Sequence, residues 1–149
     1  MLGIKRKKMK NDIQEDYVSF EIAKLLKEKG FDVNTLFYYW GSGEQGNGYV
    51  GKLGSYDGCY NRAKFDYPKN NICAMPTHAL AIKWLIENFG IYIISAPNVE
   101  KSGFTWMGYN IKNNKNFDSF ILPQDVWIFN TPEETTEAAL LYTLQNLIL

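Results

Sequence analysis

Apolar positions recur at helical spacing in three parts of the chain and at strand spacing between them. Val18, Ile22, Leu25 and Leu26 form one stripe, which predicts a helix from Ser19 to Lys29. Ser19 suits the N-cap, Gly30 the stop, and Phe31 the apolar contact that accompanies such a stop. A second helix is predicted from Thr77, after Pro76. Leu80, Ile82, Trp84, Leu85, Ile86 and Phe89 make it apolar around most of its circumference, so it is buried on more than one side and ends at Gly90. The third is announced by Thr131-Pro132-Glu133-Glu134, a capping box with proline at the first helical position. Its expected inward stripe is Ala138, Leu141, Leu144, Leu147 and Ile148.

The strand pattern falls between these helices. Residues 35–40 read as a strand by their aromatics. Irregular strands and turns follow, with Asn47-Gly48 the best hairpin signal. Ile91–Ile94 reads as a buried strand turned by Pro97-Asn98. Residues 103–111 and 117–122 read as a hairpin around Asn113-Asn114, and Val126–Phe129 as a further short strand. The expected fold is α+β, an antiparallel sheet packed against two to three helices in the order α-β-β-α-β-β-β-α. Residues 1–16 are expected to be a basic, flexible arm, and residues 17–149 a single domain.

Charge narrows the partners. The formal net charge is zero, but Lys5, Arg6, Lys7, Lys8 and Lys10 crowd the first ten positions. The rest of the chain is net negative, and from Asn116 onward it holds no Lys or Arg. Duplex nucleic acid demands clustered positive charge, so the folded body is not expected to bind it. Only the arm has the charge for such a role. The last helix has the wrong sign for double-stranded RNA, although helix–three strands–helix is an RNA-binding order. No segment approaches the ~20 apolar residues of a membrane span. The basic start lacks the apolar run of a signal peptide, so the cytoplasm is the expected compartment. Cys59 and Cys73 are too few for a disulfide framework or a four-ligand zinc site, and no metal or cofactor is expected.

Two glycine patterns invite a nucleotide reading and fail it. Residues 41–46 spell G-x-G-x-x-G and residues 46–52 spell G-x-x-x-x-G-K. Both phosphate loops need a helix to begin at once, and the second needs Ser or Thr where Leu53 stands. Seven of the twelve glycines lie between residues 41 and 58, so glycine spellings there arise by chance. His78, the sole histidine, starts the second helix. Paired with Cys59, Cys73 or a carboxylate it would form a thiol–imidazole or acid–base unit; a capping or packing role is the plainer explanation.

The aromatic–glycine segment stands apart. Nine aromatics occur between Phe37 and Tyr67. In a strand, Phe37 and Tyr39 face one way while Tyr38 and Trp40 face the other. One face is therefore expected to be a platform. Tyr39, Trp40, Tyr49 and Tyr56 are the candidate stacking residues, with Lys52, Arg62 and Lys64 placed to hold a phosphate. The alternative is that the same aromatics bury against a protein.

Three stretches carry a resemblance: residues 17–31 (YVSFEIAKLLKEKGF), 75–85 (MPTHALAIKWL) and 131–140 (TPEETTEAAL). Together the chain resembles a family of small proteins from phages and prophages of gut bacteria, marked by a P-T-x-x-x-x-x-K-W-L helix and a T-x-E-E-A-like final helix. Thr135 stands where that pattern has alanine. The resemblance implies a dispensable accessory gene and brings no activity with it. By analogy of setting, the leading expectation is a non-enzymatic protein that sequesters a small nucleotide-like ligand in counter-defence. The alternative is an interaction module or inhibitor of a host or phage protein, with homo-oligomers among the expected assemblies.

Overall fold

The computed structural model describes residues 14–41, 48–51, 60–62, 72–118 and 128–148. Helices α1 (Phe20–Glu28), α2 (His78–Phe89) and α3 (Pro132–Asn146) start where the capping residues place them. Each N-cap hydroxyl accepts from the main chain three residues on: Ser19 Oγ from Ile22 (3.3 Å), Thr77 Oγ1 from Leu80 (3.1 Å) and Thr131 Oγ1 from Glu134 (3.2 Å). Glu134 returns the bond one residue ahead of the cap, accepting from Asn130 N–H at 3.2 Å. α2 closes at Gly90 in the left-handed conformation, φ 68°.

Among the described residues the strands form two three-stranded antiparallel sheets rather than one. In the first, β1 (Phe37–Trp40) lies between β2 (Tyr49–Gly51) and β3 (Cys73–Met75). β3 was not foreseen: three residues between loops are too short to show a period. In the second, the order is β4 (Ile91–Asn98), β5 (Gly103–Asn110), β6 (Lys115–Asp118). The fold is α+β, in the order α-β-β-β-α-β-β-β-α.

β4 runs through Pro97, where the sequence suggested a turn. The register explains why. Pro97 lies opposite Phe104, and Phe104 exchanges its main-chain bonds with Phe129 on its far side (2.8 and 2.9 Å). No β5 carbonyl needs an N–H from Pro97, so the proline costs the ladder nothing. Of the expected strand at 126–129, the described part is this single bridge at Phe129.

One core joins the layers. α1 packs on β3 and α3, and α3 covers β4 and β5. Ile22, Leu26, Phe31, Leu85, Trp106 and Leu140 are buried in it. The inward face of α3 overlaps the expected stripe only in part: Leu144 and Ile148 are buried as expected, Ala138, Leu141 and Leu147 are only partly so, and Thr135, Thr136, Ala139, Leu140 and Thr143 are buried instead. Threonine is tolerated there because Thr135 and Thr136 donate their hydroxyls to the carbonyls of Thr131 (2.7 Å) and Pro132 (2.9 Å). Their methyl groups remain to pack.

The folded body begins no later than Asp16, whose carbonyl accepts from His78 N–H (2.8 Å). Most of the expected basic arm lies outside the described residues.

Candidate functional site

β1 divides its aromatics between two faces. Tyr39 turns inward, 8% exposed, and donates its hydroxyl to the Val18 carbonyl at 2.6 Å. Burial, and then the nearby Glu137 carboxylate, hold its phenol above the usual pKa. Tyr38 and Trp40 turn to the opposite face. Tyr38 packs on buried Tyr60, ring centres 4.8 Å apart. Trp40 packs on its cross-strand partner Tyr49, also at 4.8 Å with the rings inclined by 33°. Trp40 is 40% and Tyr49 45% exposed.

At that spacing the two rings are in contact and leave no slot for a third between them. Any planar ligand stacks on an outer ring face. Of the remaining candidates, Lys52, Tyr56 and Lys64 lie outside the described residues. Arg62 ends a single 3-10 turn (Tyr60–Arg62). Leu36, one residue before β1, is also more than half exposed; Val50, as exposed, pairs with Tyr39 and so belongs to the other face of the sheet.

A second constellation was only half legible in the sequence. His78 Nε2 lies 2.8 Å from Glu137 Oε1, and the same oxygen accepts the Ser19 main-chain N–H at 2.9 Å. Thus one carboxylate on α3 holds the starts of α1 and α2. Burial works to raise the Glu137 pKa. The hydrogen bonds from His78 and from Ser19 outweigh it and hold the carboxyl below its ordinary value. The residue was hidden because acids in the first turns of α3 are accounted for by capping and the helix dipole. The signal was the lone histidine, which needs a polar partner once it is partly buried.

These groups border an open cleft of about 570 Å³ with Tyr17, Tyr39 and Phe129. Among the described residues its charged lining is acidic, Asp16, Glu133, Glu134 and Glu137, apart from His78. A phosphate would meet repulsion from these carboxylates. Cys73 is buried in β3, and burial raises its thiol pKa while Lys27 and Lys24 oppose the rise. The His78 ring bonds to a carboxylate and not to this thiol.

Among the described residues no group of three or more His, Cys, Asp or Glu side chains is placed to hold a metal. Among them, too, no helix is long and apolar enough to cross a membrane. Compared with protein families, with curated proteins and with solved structures, the chain matches none.

Proposed function

We propose that the protein acts by binding rather than by catalysis, docking a host or phage protein through the Trp40–Tyr49 face. The observation that supports this most is the exposure of two large rings already packed on each other. A preassembled aromatic pair covers partner surface with little further loss of side-chain freedom. Exposed Leu36, one residue before β1, adds to the apolar area on offer. The His78–Glu137 contact is read as structural, because it joins the starts of three helices. The proposed setting, following the resemblance of residues 17–31, 75–85 and 131–140, is that of a phage accessory protein in the host cytoplasm.

The nucleotide trap is the second reading. In its favour, Trp40 keeps an accessible ring that a base would stack on, worth about 1–3 kcal/mol per base.

Mass spectrometry of small molecules released by heating the freshly purified protein separates the two. A stoichiometric nucleotide in the supernatant establishes the trap. An empty supernatant, with a partner cross-linked to the wild type and lost in Trp40→Ala at unchanged thermal stability, establishes the docking face. Loss of neither in Trp40→Ala removes the aromatic face from both readings.

A further inference from the structure

Three described side chains hold a buried polar atom that has no hydrogen-bond partner: Ser95 Oγ, Trp106 Nε1 and Thr143 Oγ1. A buried N–H or hydroxyl left unpaired is costly, so each needs a physical reason. Two of the three are direct neighbours, because Ser95 of β4 lies opposite Trp106 of β5. The phase of the ladder sets how close they come. Ile111 N–H donates to the Gly90 carbonyl at 3.0 Å, so Gly90 and Ile111 form a bonded pair that continues the register. Bonded and non-bonded pairs alternate, which makes Ser95–Trp106 a non-bonded pair, the kind whose side chains lie closer together. Directly opposed residues share a face of the sheet. Trp106 is 1% exposed with its ring on Tyr142 of α3, so Ser95 turns to the same layer between sheet and helix.

Thr143 enters that layer from the helix side. It follows Tyr142 on α3, the helix that covers β4 and β5, and it is fully buried. Its hydroxyl behaves unlike those of Thr135 and Thr136. Those two donate to main-chain carbonyls four residues back, whereas the Thr143 hydroxyl makes no such bond. The ordinary local way to satisfy a helical threonine is therefore not used beside Trp106. The three groups are also chemically unequal: an indole N–H only donates, while each hydroxyl both donates and accepts.

We propose that these three atoms are the protein ligands of one internal water molecule, held between α3 and the β4–β5 ladder. The water accepts from the Trp106 indole and donates to the Ser95 and Thr143 oxygens, which satisfies all three atoms at once. About three hydrogen bonds to otherwise unpaired buried groups is the usual coordination of such a water. Apolar packing has no preferred direction, whereas hydrogen bonds do. One bridging water therefore fixes how far along the ladder α3 sits, which packing alone leaves loose. It also gives a reason for burying Thr143 on the helix face that meets the sheet. The site is separate from Trp40 and stands whether or not the docking role above does.

A high-resolution crystal structure of the full chain tests it directly. The expected result is one water within about 3.2 Å of all three atoms. Water–protein NMR reads the same site in solution at the Trp106 indole N–H, which Trp106→Phe identifies among the four tryptophans. A dipolar cross-peak between water and that proton is expected, with the sign of a long-lived internal molecule. Ser95→Ala and Thr143→Val each remove one partner with little change of shape, and each is expected to lose the cross-peak. Thr143→Ser keeps the hydroxyl and is expected to keep the cross-peak. Direct bonds among the three atoms, or an indole N–H turned onto the Phe117 ring 6.0 Å away, overturn the proposal. So does a wild type without the cross-peak, or a cross-peak that survives in either hydroxyl-less variant.

Discussion

The two sheets solve one problem by opposite means. The second builds its stability into the main chain: β4 and β5 are each eight residues long and pair along their whole length. The first has strands of three or four residues, too few for a ladder to hold alone. Side chains reach across to secure it. Tyr39 holds the Val18 carbonyl, and Lys27 Nζ the Ile72 carbonyl at 2.6 Å. Asn61 bonds both the Phe31 carbonyl and the Ala74 N–H (2.9 and 2.8 Å). The aromatic rings left on the outer face of such a sheet are not consumed by its own packing. Rings face outward on both sheets, Trp40 and Tyr49 on the first and Tyr92 on the second; what differs is how each sheet is held.

The largest break in this comparison is expected at Trp106. Its side chain is buried between β5 and α3, with ring contacts to Tyr142 at 5.4 Å and Phe117 at 6.0 Å. Trp106→Ala opens a cavity under the long ladder and is expected to cost about 3–5 kcal/mol. Chemical denaturation measures it. A loss under about 1 kcal/mol, the scale of a surface substitution, would show that the ladder rather than its apolar cover holds this sheet.

What the sequence revealed follows the same division. Caps and ladders are local, so Ser19, Thr77, Thr131 and the turn at Asn113-Asn114 were legible. The split of β1 into a core face and an outer face was legible too, from alternation alone. The ties of the first sheet were not. Asn61, Lys27 and Glu137 bond to residues 13 to 118 positions away, and nothing in their immediate neighbours marks them. Buried Thr135 and Thr136 misled in the same way: polarity along α3 pointed to one stripe, while their bonds to the preceding turn let another face inward. Of the residues expected to hold a phosphate, Lys52 and Lys64 lie outside the described residues.

Glycine gives a sharper and smaller contrast. A side-chain carbon at Gly108 would fall 2.3 Å from the Phe117 ring and 2.8 Å from the Tyr92 carbonyl. One at Gly51 would fall 2.6 Å from the Tyr38 ring, with no main-chain atom among its nearest contacts. The first clash is against the ladder itself and the second against a side chain of the short central strand β1. Gly108→Ala is expected to cost about 1–3 kcal/mol, and Gly51→Ala clearly less, because Tyr38 can shift. Thermal unfolding of the pair measures the difference. Equal losses would mean that the first sheet is as rigid as the second, against the comparison drawn above.

The smallest effect tests the joint between the regions. Glu137 stands on α3, which covers the second sheet, and holds Ser19 and His78 at the starts of the two other helices. Its folded-state pKa is depressed, so its contribution to stability is present above the unfolded carboxyl pKa. That contribution is lost as the pH falls through the folded value. Glu137→Gln keeps the shape and an acceptor oxygen but removes the charge, at a cost of about 1 kcal/mol at neutral pH. Its unfolding free energy is expected to fall less steeply than the wild type's below about pH 5, so the two curves converge in acid. Parallel curves would mean that the carboxylate charge adds nothing to the joint. The three helix starts would then be held by main-chain bonds alone, such as that from His78 to Asp16.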